Sequence, residues 1–254
     1  MSAAPLTGRT VLVTGASSGI GKAIAIAAAR AGADVAITFR TNPQGAEDVQ
    51  RAISALGRRT SAIHLDLASA ASLADLGPSA RRALGRVDAW INNAGADILT
   101  GDGAALSRLE KLDRLIAVDL RGTMLASWQA ADMLAAQADG GVIINMSWDH
   151  VITGMAGQNP ELYSAVKGGI LAFSKSLARS VAPRVRVNVI APGFIETGFG
   201  EQADEEWRRQ VVESTPLGRW GTPDDVAGAA VFLASPDAAF LTGQTILVGG
   251  GVVM

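Results

Sequence analysis

The chain has 254 residues, 48% hydrophobic and 18% charged, enough apolar material for one large α/β core and too much for a disordered segment. Its net charge of −2 and pI near 5.7 give no general attraction to nucleic acid or to an anionic membrane. With no cysteine and two histidines, His64 and His150, it has no disulfides, thiol chemistry or thiolate metal sites, and too little imidazole for a histidine-rich metal centre.

Thr10–Thr14 reads as a first strand and Ile20–Ala31 as the helix after it. Asp34–Phe39 with Gln44–Leu56 and Thr60–Leu65 with Ser69–Leu84 repeat that unit. Asp88–Ile91 precedes a long helix over Leu106–Ala136, and Gly141–Ser147 precedes another over Glu161–Ala182. Val185–Ile190, the helix Pro223–Ala234 and Gln244–Val248 complete the series. Short apolar runs alternating with longer Ala-rich segments predict an α/β fold with one seven-stranded parallel sheet. The strands are apolar throughout rather than alternating, as expected when helices cover both faces. No boundary, repeat or low-complexity tract divides residues 1–254, which read as one domain. No segment has the roughly 18 uninterrupted apolar residues of a membrane span, and Met1–Thr10 lacks a signal-peptide pattern, so a soluble cytoplasmic protein is expected.

Thr14-Gly15-Ala16-Ser17-Ser18-Gly19-Ile20-Gly21 joins the first strand to the first helix, the context a phosphate-binding turn requires. Its glycines permit a tight turn and close approach of a pyrophosphate, whose charge meets backbone N–H groups and the helix N-terminus. Where the second strand ends, a site for NAD usually carries an acidic residue against the ribose hydroxyls. This chain has Phe39, Arg40 and Thr41 there. A guanidinium able to fork onto a 2′-phosphate favours NADP(H) over NAD(H).

Further motifs carry a resemblance. Asn92-Asn93-Ala94-Gly95 follows the fourth strand, Tyr163-Ser164-Ala165-Val166-Lys167 lies in the Glu161–Ala182 helix, and Pro192-Gly193 follows the sixth strand. With the Thr14–Gly21 turn, these make the chain resemble the short-chain dehydrogenase/reductase family over essentially its whole length. Gly218-Arg219-Trp220-Gly221-Thr222-Pro223 and Leu241-Thr242-Gly243 look like its bacterial 3-oxoacyl-carrier-protein reductases and glucose dehydrogenases. The resemblance implies a Rossmann-type doubly wound sheet. It implies cofactor contacts from Gly15, Ser17, Ser18, Gly19, Ile20, Gly21, Arg40, Asp66, Leu67, Asn93, Ala94, Gly95, Pro192, Gly193, Ile195 and Thr197, with Asp66 at the adenine. Tyr163 becomes the general acid/base and Lys167 its partner and the holder of the nicotinamide ribose. A homotetramer is also implied, with the apolar Val252-Val253-Met254 end suited to a subunit contact.

Four residues apart, Tyr163 and Lys167 share one helix face, and an ammonium beside a phenol favours the phenolate. The pair is thus suited to exchanging a proton with an alcohol or carbonyl near neutral pH. Two positions depart from the family pattern. Asn145-Met146-Ser147-Trp148-Asp149-His150 places Trp148 where strand alignment puts the catalytic serine, and the loop to Tyr163 is two residues longer. Ser147 and His150, in that order, are candidates to orient the substrate oxygen. Asp149 is less suited, because its charge opposes an oxyanion. Ser147 can take the role only if the strand end bends or bulges. Asp119, in Val118-Asp119-Leu120-Arg121-Gly122, stands in place of the family asparagine. If its carboxylate points at Lys167, the Tyr163 pKa should rise. Val248-Gly249-Gly250-Gly251 lacks the acid of the usual V-D-G-G, a change expected to matter to packing.

The expected function is NADP(H)-dependent oxidoreduction between a ketone and a secondary alcohol, with a 3-oxoacyl compound among the candidate substrates. Residues about 194–216, with Phe199, Trp207 and the acidic run Asp204-Glu205-Glu206, would form a lid. The alternatives are a nucleotide-binding regulatory protein crippled at Trp148 and Asp119 and, more weakly, an epimerase or dehydratase. No metal, nucleic-acid partner or membrane partner is expected.

Overall fold

In the computed structural model, which describes residues 4–198 and 204–254, every strand lies parallel to its neighbours. In chain order these are β1 (Thr10–Val13), β2 (Asp34–Phe39), β3 (Thr60–His64), β4 (Ala89–Asn92), β5 (Gly141–Met146), β6 (Val185–Pro192) and β7 (Thr245–Val248). Their spatial order is β3-β2-β1-β4-β5-β6-β7: the seven-stranded parallel sheet expected from the alternating pattern, in the Rossmann-type doubly wound arrangement that the family resemblance implies. The order reverses between β1 and β4, which pair through Val11↔Ala89, Leu12↔Trp90 and Val13↔Ile91. A crevice therefore opens at the carboxyl ends of these two strands, where open α/β sheets bind ligands.

Helices cover both faces: α1 (Gly19–Arg30), α2 (Pro43–Ala55), α3 (Ala70–Leu84), α4 (Gly101–Ala104), α5 (Arg108–Leu115), α6 (Thr123–Ala135), α7 (Gln158–Val181), α8 (Glu205–Ser214) and α9 (Pro223–Ala234). Val11, Val13, Val35, Ile37, Ile91 and Ile144 pack with Ile24 and Ala28 of α1 and with Val226 and Ala230 of α9. Leu12, Ala36, Trp90, Ile143 and Val187 point the other way, onto Leu76, Ala126, Ala130 and Leu177. Consecutive strand residues thus feed two separate cores, which is why these strands are apolar throughout. Each buried Val, Leu or Ile contributes about 1.5–3 kcal/mol before chain entropy is counted.

The buried amides at the ends of β4 and β5 are joined in one network. Asn92 Nδ2 donates to Asn145 Oδ1 at 2.8 Å and to Ser127 Oγ at 3.0 Å, while Trp90 Nε1 donates to Asn92 Oδ1 at 2.8 Å. Asn145 Nδ2 donates to Ser174 Oγ at 2.9 Å. This network pins α6 and α7 to the sheet beside the crevice. Buried amides stay inside only when so satisfied.

Three elements differ from the sequence expectation. The single helix over Leu106–Ala136 is α5 and α6 joined through a π-helical turn, Ile116–Gly122, and such π turns frequently mark functional positions. Helix α7 starts at Gln158 rather than Glu161. The segment of about 194–216 expected as a lid contains α8, started by Asp204, whose carboxylate accepts from Trp207 N–H at 2.7 Å. Phe199 lies outside the described residues. Among those described, no helix is long and apolar enough to cross a membrane.

Candidate active site

Two glycines of the turn after β1 sit where no side chain fits. Gly15 has φ +63°, and a Cβ there would lie 2.7 Å from Ala94 Cα; a Cβ on Gly21 would overlap Asn93 Nδ2 and Gly15 O. Asn93 Nδ2 donates to the carbonyls of Thr14 and Gly15 at 3.0 and 3.1 Å. Thr14 Oγ1 accepts from the N–H groups of Asn93 and Ala94, each at 3.0 Å. The Asn93-Ala94-Gly95 segment therefore clamps the glycine turn. Ser18, the residue capping α1, makes no side-chain bond to the helix, and the first turn carries no acid, as suits an N-terminus facing a phosphate.

This cradle opens into a cleft of about 900 Å³. Gly15, Ser17, Ser18, Ile20, Gly21 and Arg40 line one end, with Asp66, Leu67, Asn93, Ala94 and Gly95 alongside. Asp119, Ser147, Tyr163 and Lys167 face Pro192, Gly193, Ile195 and Thr197 further along. Gly19 does not line the cleft but abuts it, with Thr197 Cγ2 3.7 Å from where its Cβ would be. The cradle and cleft fit a dinucleotide, which needs a close-approach phosphate turn and a long groove.

Lys167 is 4% exposed and Asp119 1%, and the ammonium lies 2.9 Å from Asp119 Oδ2. Asp119 Oδ1 accepts from Ala96 N–H at 2.7 Å. The π-helical turn delivers this carboxylate, and Gly95 makes room for it, since a Cβ there would lie 2.9 Å from Asp119 Oδ2. Lys167 Nζ is 5.3 Å from the centre of the Tyr163 ring. Burial pushes the Tyr163 pKa up; Lys167 opposes that rise and Asp119 adds to it. The net direction is upward, contrary to the lowering expected from the Tyr-Lys spacing alone, because that expectation lacked burial and the Asp119 charge. The Lys167 pKa also rises: burial opposes its charge, but Asp119 and Tyr163 outweigh that penalty.

The residues ending β5 diverge. Ser147 borders the cleft, but it is 4% exposed and its Oγ donates to Lys167 O at 2.8 Å. Trp148 continues extended, with φ −147° and ψ 140°, and no bulge turns Ser147 into its place. The Trp148 ring meets Tyr163 edge-on at 5.4 Å and stacks on His150 at 4.9 Å. His150 is not among the cleft-lining residues; its Nδ1 lies 2.6 Å from Asp149 Oδ1. Asp149 is fully buried, and burial raises its pKa against the lowering effect of His150. Its second oxygen sits where a Cβ on Gly193 or Gly249 would be. The Gly249 that departs from V-D-G-G thus makes room for Asp149.

Several lining residues carry no motif that marks them in the sequence. Phe194 is one, and it forms an aromatic wall with Trp207 at 5.1 Å and with Trp220, from the Gly218–Pro223 motif, at 5.8 Å. Asn159 and Met155 also line the cleft. Asn159 precedes Tyr163 by one helical turn, a signal hidden when the helix is read as starting at Glu161.

Comparison with known proteins decides the family. A family model described as enoyl-(acyl carrier protein) reductase matches residues 15–253. The chain belongs to the short-chain dehydrogenase/reductase family. It is 38% identical over 253 residues to a 3-oxoacyl-[acyl-carrier-protein] reductase of Synechocystis sp., covering 98% of each chain. It is 37% identical over 250 residues to the L-rhamnose 1-dehydrogenase (NAD(P)(+)) of Sphingomonas sp., covering 97% of each. Among solved structures, a 7α-hydroxysteroid dehydrogenase complexed with NADH and 7-oxo glycochenodeoxycholic acid superposes with TM-score 0.89 at 31% identity, over 99% of this chain and 96% of that one. A short-chain dehydrogenase/reductase from Serratia marcescens BCRC 10948 gives TM-score 0.88 at 33% identity, over 98% and 100%. This short-chain dehydrogenase/reductase is an NAD(P)-dependent oxidoreductase.

Proposed function

We propose that the chain is an NADP(H)-dependent carbonyl reductase or alcohol dehydrogenase, with Tyr163 as general acid/base. The observation that carries this reading is the buried Lys167, held between Asp119 and Tyr163 at the end of a glycine-turned cleft. A nicotinamide bound there would give or take the hydride. Gly15, Ser17, Ser18, Gly19, Ile20 and Gly21 would hold its phosphates, Asp66 and Leu67 its adenine, and Asn93–Gly95, Pro192, Gly193, Ile195 and Thr197 the rest. Lys167 has three donors, so it can keep Asp119 and still reach a ribose hydroxyl.

With its pKa raised, Tyr163 is a phenol at neutral pH and is ready to donate a proton to the oxygen of a ketone. The intact Tyr163–Lys167 pair counts against a purely regulatory role. Arg40 supports the NADP preference: it is exposed at the cleft edge and makes no ion pair with the described residues. The substrate would lie between Tyr163 and the Trp148–Phe194–Trp207–Trp220 wall. Flat aromatic faces suit a ring-shaped or acyl-bearing secondary alcohol or its ketone, in keeping with the rhamnose, oxoacyl and hydroxysteroid substrates in the relatives' names. Residues 194–216 would act as the lid of this single domain. Assembly as a cytoplasmic homotetramer belongs to the same reading, supported by the exposed Trp128 on α6 beside Phe173 on α7 and by the exposed Met254.

The test is to titrate NADPH and NADH by fluorescence, then add β-ketoesters, diketones, quinones and sugars and follow cofactor absorbance, repeating positives with Tyr163→Phe. Turnover with NADPH that falls at least about 100-fold in the phenylalanine variant is expected for a lost general acid. Cofactor binding without turnover on any of these carbonyls would overturn the reductase reading.

A further inference from the structure

A carbonyl about to accept hydride needs a hydrogen-bond donor besides the proton donor itself, because negative charge builds on its oxygen. The end of β5, where the family carries its serine, does not offer one readily. The Ser147 hydroxyl has one proton, and it is spent on Lys167 O at 2.8 Å. Turning it to a substrate would break that buried bond. Trp148 presents a ring to Tyr163, and His150 is turned away into Asp149.

Helix α7 carries another candidate. Asn159, Tyr163 and Lys167 are spaced by four, so they stand one above another on one face of the helix, and all three line the cleft. The Asn159 amide is oriented from behind: Lys111 Nζ, on α5, donates to Asn159 Oδ1 at 3.3 Å. Lys111 is 9% exposed, and an ammonium only donates. The amide must therefore give Lys111 its oxygen, which leaves both Nδ2 protons for other acceptors. The α5–α7 contact that sets this geometry is braced by Arg108 Nη2 on Glu161 Oε2 at 2.6 Å.

Building on the proposed reductase reading, we infer that Asn159 Nδ2 donates to the substrate oxygen, taking over from α7 the role that the family gives to a serine on β5. Lys111 is the positioning residue that fixes the amide. The carboxamide neither gains nor loses a proton, so the step remains hydride transfer to carbon with the proton coming from Tyr163.

The experiment uses the full chain with NADPH and the carbonyl of the panel above that is turned over fastest. It compares kcat and KM for wild type, Tyr163→Phe, Asn159→Ala, Asn159→Asp, Lys111→Met, Lys111→Arg and Ser147→Ala, alongside melting temperature and NADPH affinity. Loss of one such donor costs kcat roughly 100- to 1,000-fold, so Asn159→Ala should fall in that range while NADPH affinity stays within about 3-fold. Asn159→Asp keeps and strengthens the tie to Lys111 but cannot donate, so it should be as slow as Asn159→Ala. Lys111→Met should lose about 10-fold, and Lys111→Arg, also a donor only, should recover most of it. If Asn159→Asp runs at the wild-type rate, Asn159 is only a tether between helices and the inference is overturned. It is equally overturned if Ser147→Ala loses turnover while Asn159→Ala retains it. Failure of wild type to turn over any carbonyl would instead remove the reductase reading, and this inference with it.

Discussion

Asp119 differs from the asparagine of the family pattern by little more than charge, yet that charge sits 2.9 Å from the lysine that tunes the tyrosine. The charged groups acting on Tyr163 are Lys167, which favours the phenolate, and Asp119, which opposes it. The substitution Asp119→Asn would keep an acceptor for Ala96 N–H and remove the negative charge, so the Tyr163 pKa should fall. Alcohol oxidation needs the phenolate, so its acid-side midpoint should move to lower pH in this variant. Ketone reduction needs the phenol, so its alkaline-side midpoint should also move to lower pH. Rate profiles from pH 5 to 11 in both directions read this, and coincident midpoints for the two proteins would exclude any charge effect of Asp119. The substitution also leaves Lys167 buried without its counter-ion, a loss typically of about 3–5 kcal/mol, so the melting temperature should drop as well. The identity of this residue was legible in the sequence because it breaks a motif. Its aim at Lys167 was not, because that depends on the π-helical turn, and a one-residue change of helical pitch leaves no clear mark in a 3.6-residue pattern.

At the scale of elements, the strands were legible and the connections were not. Doubly covered strands declare themselves as apolar runs, whereas the 148–157 loop is shaped by contacts remote in sequence. Asp149 shows how. Its Oδ1 accepts from the His150 backbone N–H at 2.7 Å and lies 2.6 Å from the ring nitrogen. Its Oδ2 occupies space left by two glycines, Gly193 after β6 and Gly249 after β7. Three loops thus meet at one fully buried carboxylate, and Gly249 reads as an oddity only until Asp149 is placed beside it. The prediction is that Gly249→Ala overpacks this junction. Added atoms in a filled site cost about 1–3 kcal/mol, and a chain of this size loses roughly 2–4 °C per kcal/mol. In an Asp149→Ala background, the same substitution should cost much less, because the clashing oxygen is gone and the two effects are coupled. Thermal melts of the four proteins in this cycle measure the coupling, and equal costs in both backgrounds would show that the glycine is needed for its backbone alone.

Across the whole molecule, what was legible is the part that repetition makes redundant. Strand–helix alternation with seven apolar runs leaves few topologies once right-handed crossovers are required, and the family resemblance selects the Rossmann-type doubly wound one among them. The crevice at β1 and β4 is then a consequence of topology, and the glycine turn falls at its edge. The aromatic wall was only partly legible: Trp207 stood out as a lid residue, but its neighbours Phe194 and Trp220 come together through folding alone. Since the crevice joins elements from both halves of the sheet, a dinucleotide bound along it should stabilise the fold as a whole. A ligand at 100 times its Kd adds about 2.7 kcal/mol, which for a chain of this size is a rise of roughly 5–10 °C in Tm. NADPH should give this rise at lower concentration than NADH, because Arg40 at the end of β2 can fork onto the 2′-phosphate. Arg40→Ala should remove most of the difference between the two cofactors while leaving the NADH response nearly unchanged, since the adenine, pyrophosphate and nicotinamide contacts lie elsewhere. Melting curves against both cofactors, for wild type and Arg40→Ala, separate the possibilities. A larger wild-type response to NADH would overturn the NADP preference, and a 2′-phosphate effect that persists without Arg40 would move its recognition to another residue.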